Sequence, residues 1–417
     1  MDEEQPADLG ASRAPGTGPD DDRPDDRPHE RTDLRSAPAP RRVVLDAGGR
    51  APLLPSARAA FVEALDQGWA DPRRLHAEGR RARALLDGAR EAIAGALGAR
   101  TQDVDLAPSH TAALHAAVLM VARGRRRVGA DVVTSAVERA AVLHAAGFVA
   151  QRAQGEHRTV PVDRTGAVDP DTFAAALRAP GVALAALQHA NGEVGTLQPL
   201  DAVHAAAREA GVPLLVDAGA SVGHVPTGSS WDLLAADPGD WGGPGGLGVL
   251  VTRPGVRRAP DWPQDEDRWF PGGVSVPAAL AAAVALQDAT ATAADRDRRL
   301  RPLVDELRGT VAARVPDVDV VGDPVRRLPH VLTFSCLYVD GEAIVSELDR
   351  RGFAVGSGSA CSSSTLEPSH VLAAMGALTQ GNVRVALHHA TTPQDVADFL
   401  AVLPGVVADL RASLGVV

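Results

Sequence analysis

Residues 182–217 read VALAALQHANGEVGTLQPLDAVHAAAREAGVPLLVD. An apolar run (182–188) passes through a polar loop into a helical stretch (200–210) and then a buried-type strand (212–217) that ends on Asp217. Strand, crossover helix and strand predict parallel pairing, and parallel strands are apolar because helices cover both sheet faces. Upstream the alternation continues. Strand signals lie at 42–46, 131–134 and 159–162, helical periodicity at 56–67, 80–97, 109–123 and 137–150, with a loop at 71–76. Ser109 stands where an N-cap is expected. The pattern predicts an α/β fold with a mostly parallel sheet, and ligands of such sheets bind beyond the carboxyl ends of the strands. The polar groups expected there are Thr134, Ser135, the segment 189–193, Asp217 and a glycine-rich stretch within 231–252, WDLLAADPGDWGGPGGLGVLVT.

Downstream, helices are expected at 278–291, 299–314, 340–351 and 392–402, with strands at 331–334 and 383–387. The expected organisation is a large α/β domain over 43–292 and a smaller α+β domain over 293–417. The second carries one irregular loop, GSGSACSSSTLEP (356–368). Residues 1–42 combine Pro, Asp, Arg and Gly with few large apolar side chains, and read as a disordered acidic tail.

A net charge of −11 argues against nucleic-acid binding. No run reaches the apolar length of a membrane span and no signal-peptide core opens the chain, so a cytoplasmic protein without membrane association is expected. The two cysteines, Cys336 and Cys361, suit a reducing compartment, and no metal-binding spacing is present. All 42 basic residues counted as Lys or Arg are arginine; the chain has no lysine.

Four stretches together resemble the cysteine desulfurases, pyridoxal-phosphate enzymes of the class V aminotransferase group. They are LDAGGRAPLLP from Leu45, LQHANGEVGTLQPL from Leu187, VDAGASVG from Val216 and GSGSACSSSTLEPSHVLAAMG from Gly356. PHVLTFSCLYVDGE from Pro329 and NVRVAL from Asn382 follow in the same order, so the resemblance spans residues 42–403. It implies a fold-type I transferase with a seven-stranded sheet, a smaller C-terminal domain, and a dimer with its site near the interface.

The resemblance also implies roles. Cys361 takes the position of the persulfide-forming nucleophile, and Arg384 that of the arginine gripping the substrate carboxylate. Asp217 matches the acid paired with the pyridine nitrogen of pyridoxal phosphate, and Thr111 a threonine of the phosphate cradle. Bland alternatives stand beside these: an inert thiol, an interdomain ion pair, a strand-end carboxylate, a helix cap. Other positions depart from the pattern. Asp240 stands where the lysine that binds the cofactor as an imine belongs, so no such imine can form. Gly239 replaces the preceding histidine, Asp237 a phosphate-binding serine, and Arg139 the histidine that stacks on the ring. Gly192 replaces a cofactor-contacting asparagine (Asn191 lies one residue earlier), Ala220 a glutamine, and Gly273 a threonine lent across the dimer. Before Thr111, Ser109 and His110 depart as well. Two carboxylates facing a phosphate at roughly 4 Å would each cost about 4 kcal/mol at an effective dielectric near 20.

Three functions are weighed on this basis. One is a sulfur-transfer protein without conventional cofactor catalysis: a pseudoenzyme acting through Cys361 as persulfide acceptor, carrier or partner subunit. It would pair with itself or with an active desulfurase and exchange sulfur with a donor or acceptor protein. The second is an enzyme that uses pyridoxal phosphate non-covalently, or a new reaction built on His110, Arg139, Asp237 and Asp240. The third is an interaction scaffold in which the loop is a relic.

Overall fold

A computed structural model describes residues 41–263, 265, 267–357 and 368–415. Its centre is a seven-stranded sheet, in the order Val104–Ala107, Gly248–Thr252, Leu233–Ala236, Leu214–Asp217, Val182–Ala186, Asp131–Ser135 and His157–Val160. The last five run parallel, while Gly248–Thr252 is antiparallel to both of its neighbours. Val104–Ala107 therefore points the same way as the five. The end of that strand, the start of Gly248–Thr252 and the carboxyl ends of the parallel strands all meet on one edge. Helices on both faces bury the four central strands completely, which explains their unbroken apolar runs.

The expected α/β fold is present, with local corrections. The strands Val104–Ala107 and Leu233–Ala236 and the helix Pro170–Leu177 escape a periodicity reading because each is short. Asp169 caps that helix and Pro170 opens it, a start signal easily read as a turn. The helices expected at 278–291 and 299–314 are one, Val276–Arg314. No breaker interrupts residues 292–298, and the Asp297–Arg301 pair at 2.7 Å carries the helix past Pro302. The final helix, Pro393–Ser413, likewise continues through Pro404. Val276–Arg314 is also long and apolar enough to cross a membrane, contrary to the expectation that no segment is, but half of its apolar window is buried inside the protein.

A three-stranded antiparallel sheet, Val318–Val320, Val331–Cys336 and Asn382–Ala386, has a second apolar cluster that includes Phe334, Ile344, Phe399 and Leu403. Full burial of a side chain such as Phe399 contributes about 2–3 kcal/mol. The short strand Val43–Val44 pairs in parallel with Phe353–Ala354. That pairing brings the segment after it, residues 45–51, over the active edge of the large sheet.

Candidate functional site

The edge is assembled around close backbone approaches. A Cβ on Gly248 would lie 2.3 Å from the Ser109 carbonyl oxygen, so only glycine lets the start of the helix His110–Gly124 seat against the strand. Ser109 caps this helix, its hydroxyl accepting from the Ala112 amide at 3.0 Å. The expected cap is therefore in place. The seating directs His110, 5% exposed, at Asp217 on the neighbouring strand end.

Asp217 is 4% exposed and its two oxygens are both engaged. Oδ1 lies 2.8 Å from His110 Nε2 and accepts from the Gly219 amide at 2.8 Å, while Oδ2 accepts from Arg139 Nε at 3.0 Å. Burial alone would raise the pKa of this carboxyl. The Arg139 guanidinium and the His110 ring outweigh it and hold Asp217 ionised, below the usual carboxylate range. An ionised Asp217 takes the proton-bearing face of the ring, so His110 presents Nε2–H to it. His110 Nδ1 is buried and meets no partner among the described residues.

Asp240 is 5% exposed and lies in the turn before the glycine-rich run. Its Oδ1 accepts from the Gly49 amide at 2.7 Å, and the Gly239 carbonyl accepts from the Ala51 amide at 2.8 Å. Segment 46–51 thus closes over Asp240 as a strap. Arg384 ties the strap from the other side, its Nη2 donating to Asp46 Oδ1 at 3.1 Å and to the Gly48 carbonyl at 2.9 Å. Burial, then the nearby Asp237 charge, pushes the Asp240 carboxyl up to about 7. Asp237 itself is partly exposed and accepts from the Gly239 amide at 2.9 Å.

Around this centre two more acids are buried. Glu138 accepts from the Ser135 hydroxyl at 2.6 Å and the Gln188 amide at 3.0 Å, and burial pushes it up to about 7. Glu193 is raised to about 7 by burial, against the opposing Ser369 hydroxyl and Arg384 charge. Asn191 is a loop brace: its Oδ1 accepts from the Glu193 and Val194 amides. Thr111 is exposed on the first turn of its helix. Cys361 lies outside the described residues. The other cysteine, Cys336, is fully buried in its strand, and burial raises its thiol to about 11, far from a nucleophile's range.

The sheet edge therefore gathers His110, Arg139, Asp217, Asp237 and Asp240. The sequence reading named those five, but not Asp46 and the strap amides, whose signal was the LDAGGR motif itself.

The family model for aminotransferase class-V matches residues 43–399. The chain belongs to the aminotransferase class-V family. Within it, the cysteine desulfurase IscS of Dictyoglomus turgidum is 34% identical over 379 residues, 89% of this chain and 96% of that protein. A cysteine desulfurase of Cereibacter sphaeroides is 35% identical over 385 residues, 89% of this chain and 97% of its own length. Among solved structures, a NifS-like protein superposes with a TM-score of 0.81 at 22% identity, covering 88% of this chain and all (100%) of that one. The family fold is the one described above.

The family is pyridoxal-phosphate-dependent, and the residues at the edge can be tested against that group. The pyridinium nitrogen takes its positive charge from pairing with a carboxylate, but the Asp217 carboxylate is already ion-paired with Arg139 and bonded by His110 and the Gly219 amide. The imine needs a lysine, and the chain has none. Asp237 brings negative charge to a site that must receive a phosphate, and the buried Asp240 beside it adds a second charge on losing its proton. These residues do not fit the group.

Proposed function

We propose that the chain is a sulfur-transfer protein of the cysteine desulfurase group that works without the cofactor, receiving or passing sulfur as a persulfide on Cys361. The observation that carries this reading is the internal closure of Asp217 by His110 and Arg139, in a chain with no lysine. The retained GSACSSSTLEP motif supports the thiol's role. A cysteine thiolate can attack the outer sulfur of a donor persulfide, releasing the donor's thiolate, and an acceptor thiolate can then attack that sulfur and release Cys361. The fold of the relatives, and dimerisation in the group, support pairing with itself or with an active desulfurase. Arg384 serves in this reading as the tie of the strap, in place of a grip on substrate.

The test is incubation with an active cysteine desulfurase and cysteine, followed by intact-mass and peptide mass spectrometry. One added sulfur atom on Cys361 is expected, reversed by reductant and absent in Cys361→Ser. Cysteine-dependent sulfide release by the protein alone would overturn the reading in favour of an active enzyme. Unmodified Cys361 would leave the scaffold function.

A further inference from the structure

Behind Asp240 lies a small cavity of about 10 Å³ lined by Ala47, His224, Asp240, Arg296, His330 and His389, among others. Three of its lining residues carry a buried polar atom with no hydrogen-bond partner among the described residues: Asp240 Oδ2, Arg296 Nε and His330 Nδ1. Buried polar atoms left unpaired cost about 1–3 kcal/mol each, and more when the group is charged. Three around one cavity is a built polar site, and its lining is complementary: a carboxyl oxygen, a guanidinium donor, and one imidazole nitrogen able to donate or accept.

The surrounding contacts fix the remaining roles. His224 lies 2.9 Å from the Asp240 carbonyl oxygen through Nε2; a carbonyl only accepts, so His224 is the donor there. Its ring stacks on His330 with centroids 3.9 Å apart. Burial keeps both rings neutral, His224 at about 4 and His330 well below the usual histidine range. A neutral stacked pair avoids placing two like charges face to face. Arg296 spends Nη2 on the Gly223 and Ala289 carbonyls, while its buried Nε–H has no partner among the described residues.

We infer that this cavity is a binding site for one internal water, which accepts from Arg296 Nε, donates to His330 Nδ1 and bonds Asp240 Oδ2, accepting from it while Oδ2 carries the carboxyl proton and donating to it otherwise. The volume admits a single water, and three polar partners are the usual number for one. Apolar gas or a larger ligand suits neither the size nor the lining. The inference deepens the functional reading: with Gly49 on Oδ1 and the water on Oδ2, Asp240 is satisfied on both oxygens, as Asp217 is. The acid at the pyridine-nitrogen position and the acid that replaces the lysine are then both closed from within the protein.

The experiment is a crystal structure of the full chain at a resolution that defines ordered water, with His330→Phe and Asp240→Asn alongside. The expected result is one water within about 3 Å of Asp240 Oδ2 and Arg296 Nε in the parent protein. It should persist in Asp240→Asn, which keeps the acceptor or supplies an amide, and be lost in His330→Phe, whose ring removes a partner. Absence of density in the parent cavity, or a direct Asp240–Arg296 contact, overturns the proposal. Where His330→Phe does not fold, the parent map decides alone. The persulfide measurement on Cys361 does not depend on this water, so failure of one is distinguishable from failure of the other.

Discussion

At the scale of single residues, the site holds two acids in opposite states, and each makes a prediction. Asp240 keeps its proton to about pH 7 in the folded protein, against an ordinary value of 3.8. Between those limits the folded state binds more protons at this position than the unfolded chain does. Its contribution to stability therefore falls as pH rises from about 4 to about 7. Glu138 and Glu193, also raised to about 7, act in the same direction. Asp240→Asn removes one of the three titrations. Urea unfolding of the variant should show a shallower loss of stability across that window, with a gain over the parent near pH 8. An unchanged slope would mean that Asp240 is ionised in the native protein. Asp217 behaves conversely, because its pKa is depressed: it stabilises above the ordinary carboxylate range, and that stability is lost as pH falls through and below it. Its main cationic partner is Arg139, so Arg139→Ala leaves a buried carboxylate short of a charge. The expected cost is about 3 kcal/mol by denaturant unfolding at pH 7, with Arg139→Lys recovering part of it.

At the scale of elements, the glycine-rich run at 242–248 acts through what it lets approach. Gly248→Ala would place a methyl 2.3 Å from the Ser109 carbonyl, a backbone atom that cannot swing aside. The helix His110–Gly124 must retreat, and overpacking of this kind costs about 1–3 kcal/mol. Thermal unfolding should report that loss, and amide exchange should quicken at Ala112 and Ala113, whose amides bond back to Ser109. This contact shows where legibility in the sequence ended. The strand–helix–strand pattern of 182–217 is written in side-chain periodicity, so the parallel sheet and its active edge were readable. The strands Val104–Ala107 and Leu233–Ala236 have only four residues each, too few for a period to emerge. The continuous helix Val276–Arg314 reads as two because residues 292–298, TAADRDR, offer no apolar periodicity. Asp217, Asp240 and Arg139 could be named from motif position. That Arg139 and His110 close on Asp217, and that Arg384 ties down residues 46–51, depends on long-range geometry that no local pattern encodes.

At the scale of the whole molecule, the question is whether the chain as folded has room for the family's cofactor chemistry. Sheet, strap and helix start converge on a cluster whose groups engage one another: Arg139 and the His110 ring on Asp217, and a protonated Asp240 beside Asp237. A cluster whose cation, Arg139, is committed to Asp217, with Asp237 beside it, offers a phosphorylated ligand little. Pyridoxal phosphate at 100 μM should therefore leave the unfolding temperature unchanged, whereas a ligand bound at 100 times its Kd would add about 2.7 kcal/mol, a shift of several degrees. Restoring the lysine alone should not reverse this. Asp240→Lys puts an amine where the imine would form, but Asp217 stays engaged by Arg139. The single variant is expected to show no visible absorbance band with added pyridoxal phosphate and no cysteine-dependent sulfide release. Asp240→Lys combined with Arg139→His frees one Asp217 oxygen and gives the ring a flat neighbour, and should produce the band. If the single variant gains the band and the activity, the missing lysine was the whole of the loss, and the closure around Asp217 opens readily. If the double variant gains the band where the single does not, Arg139 is the residue that keeps this site shut.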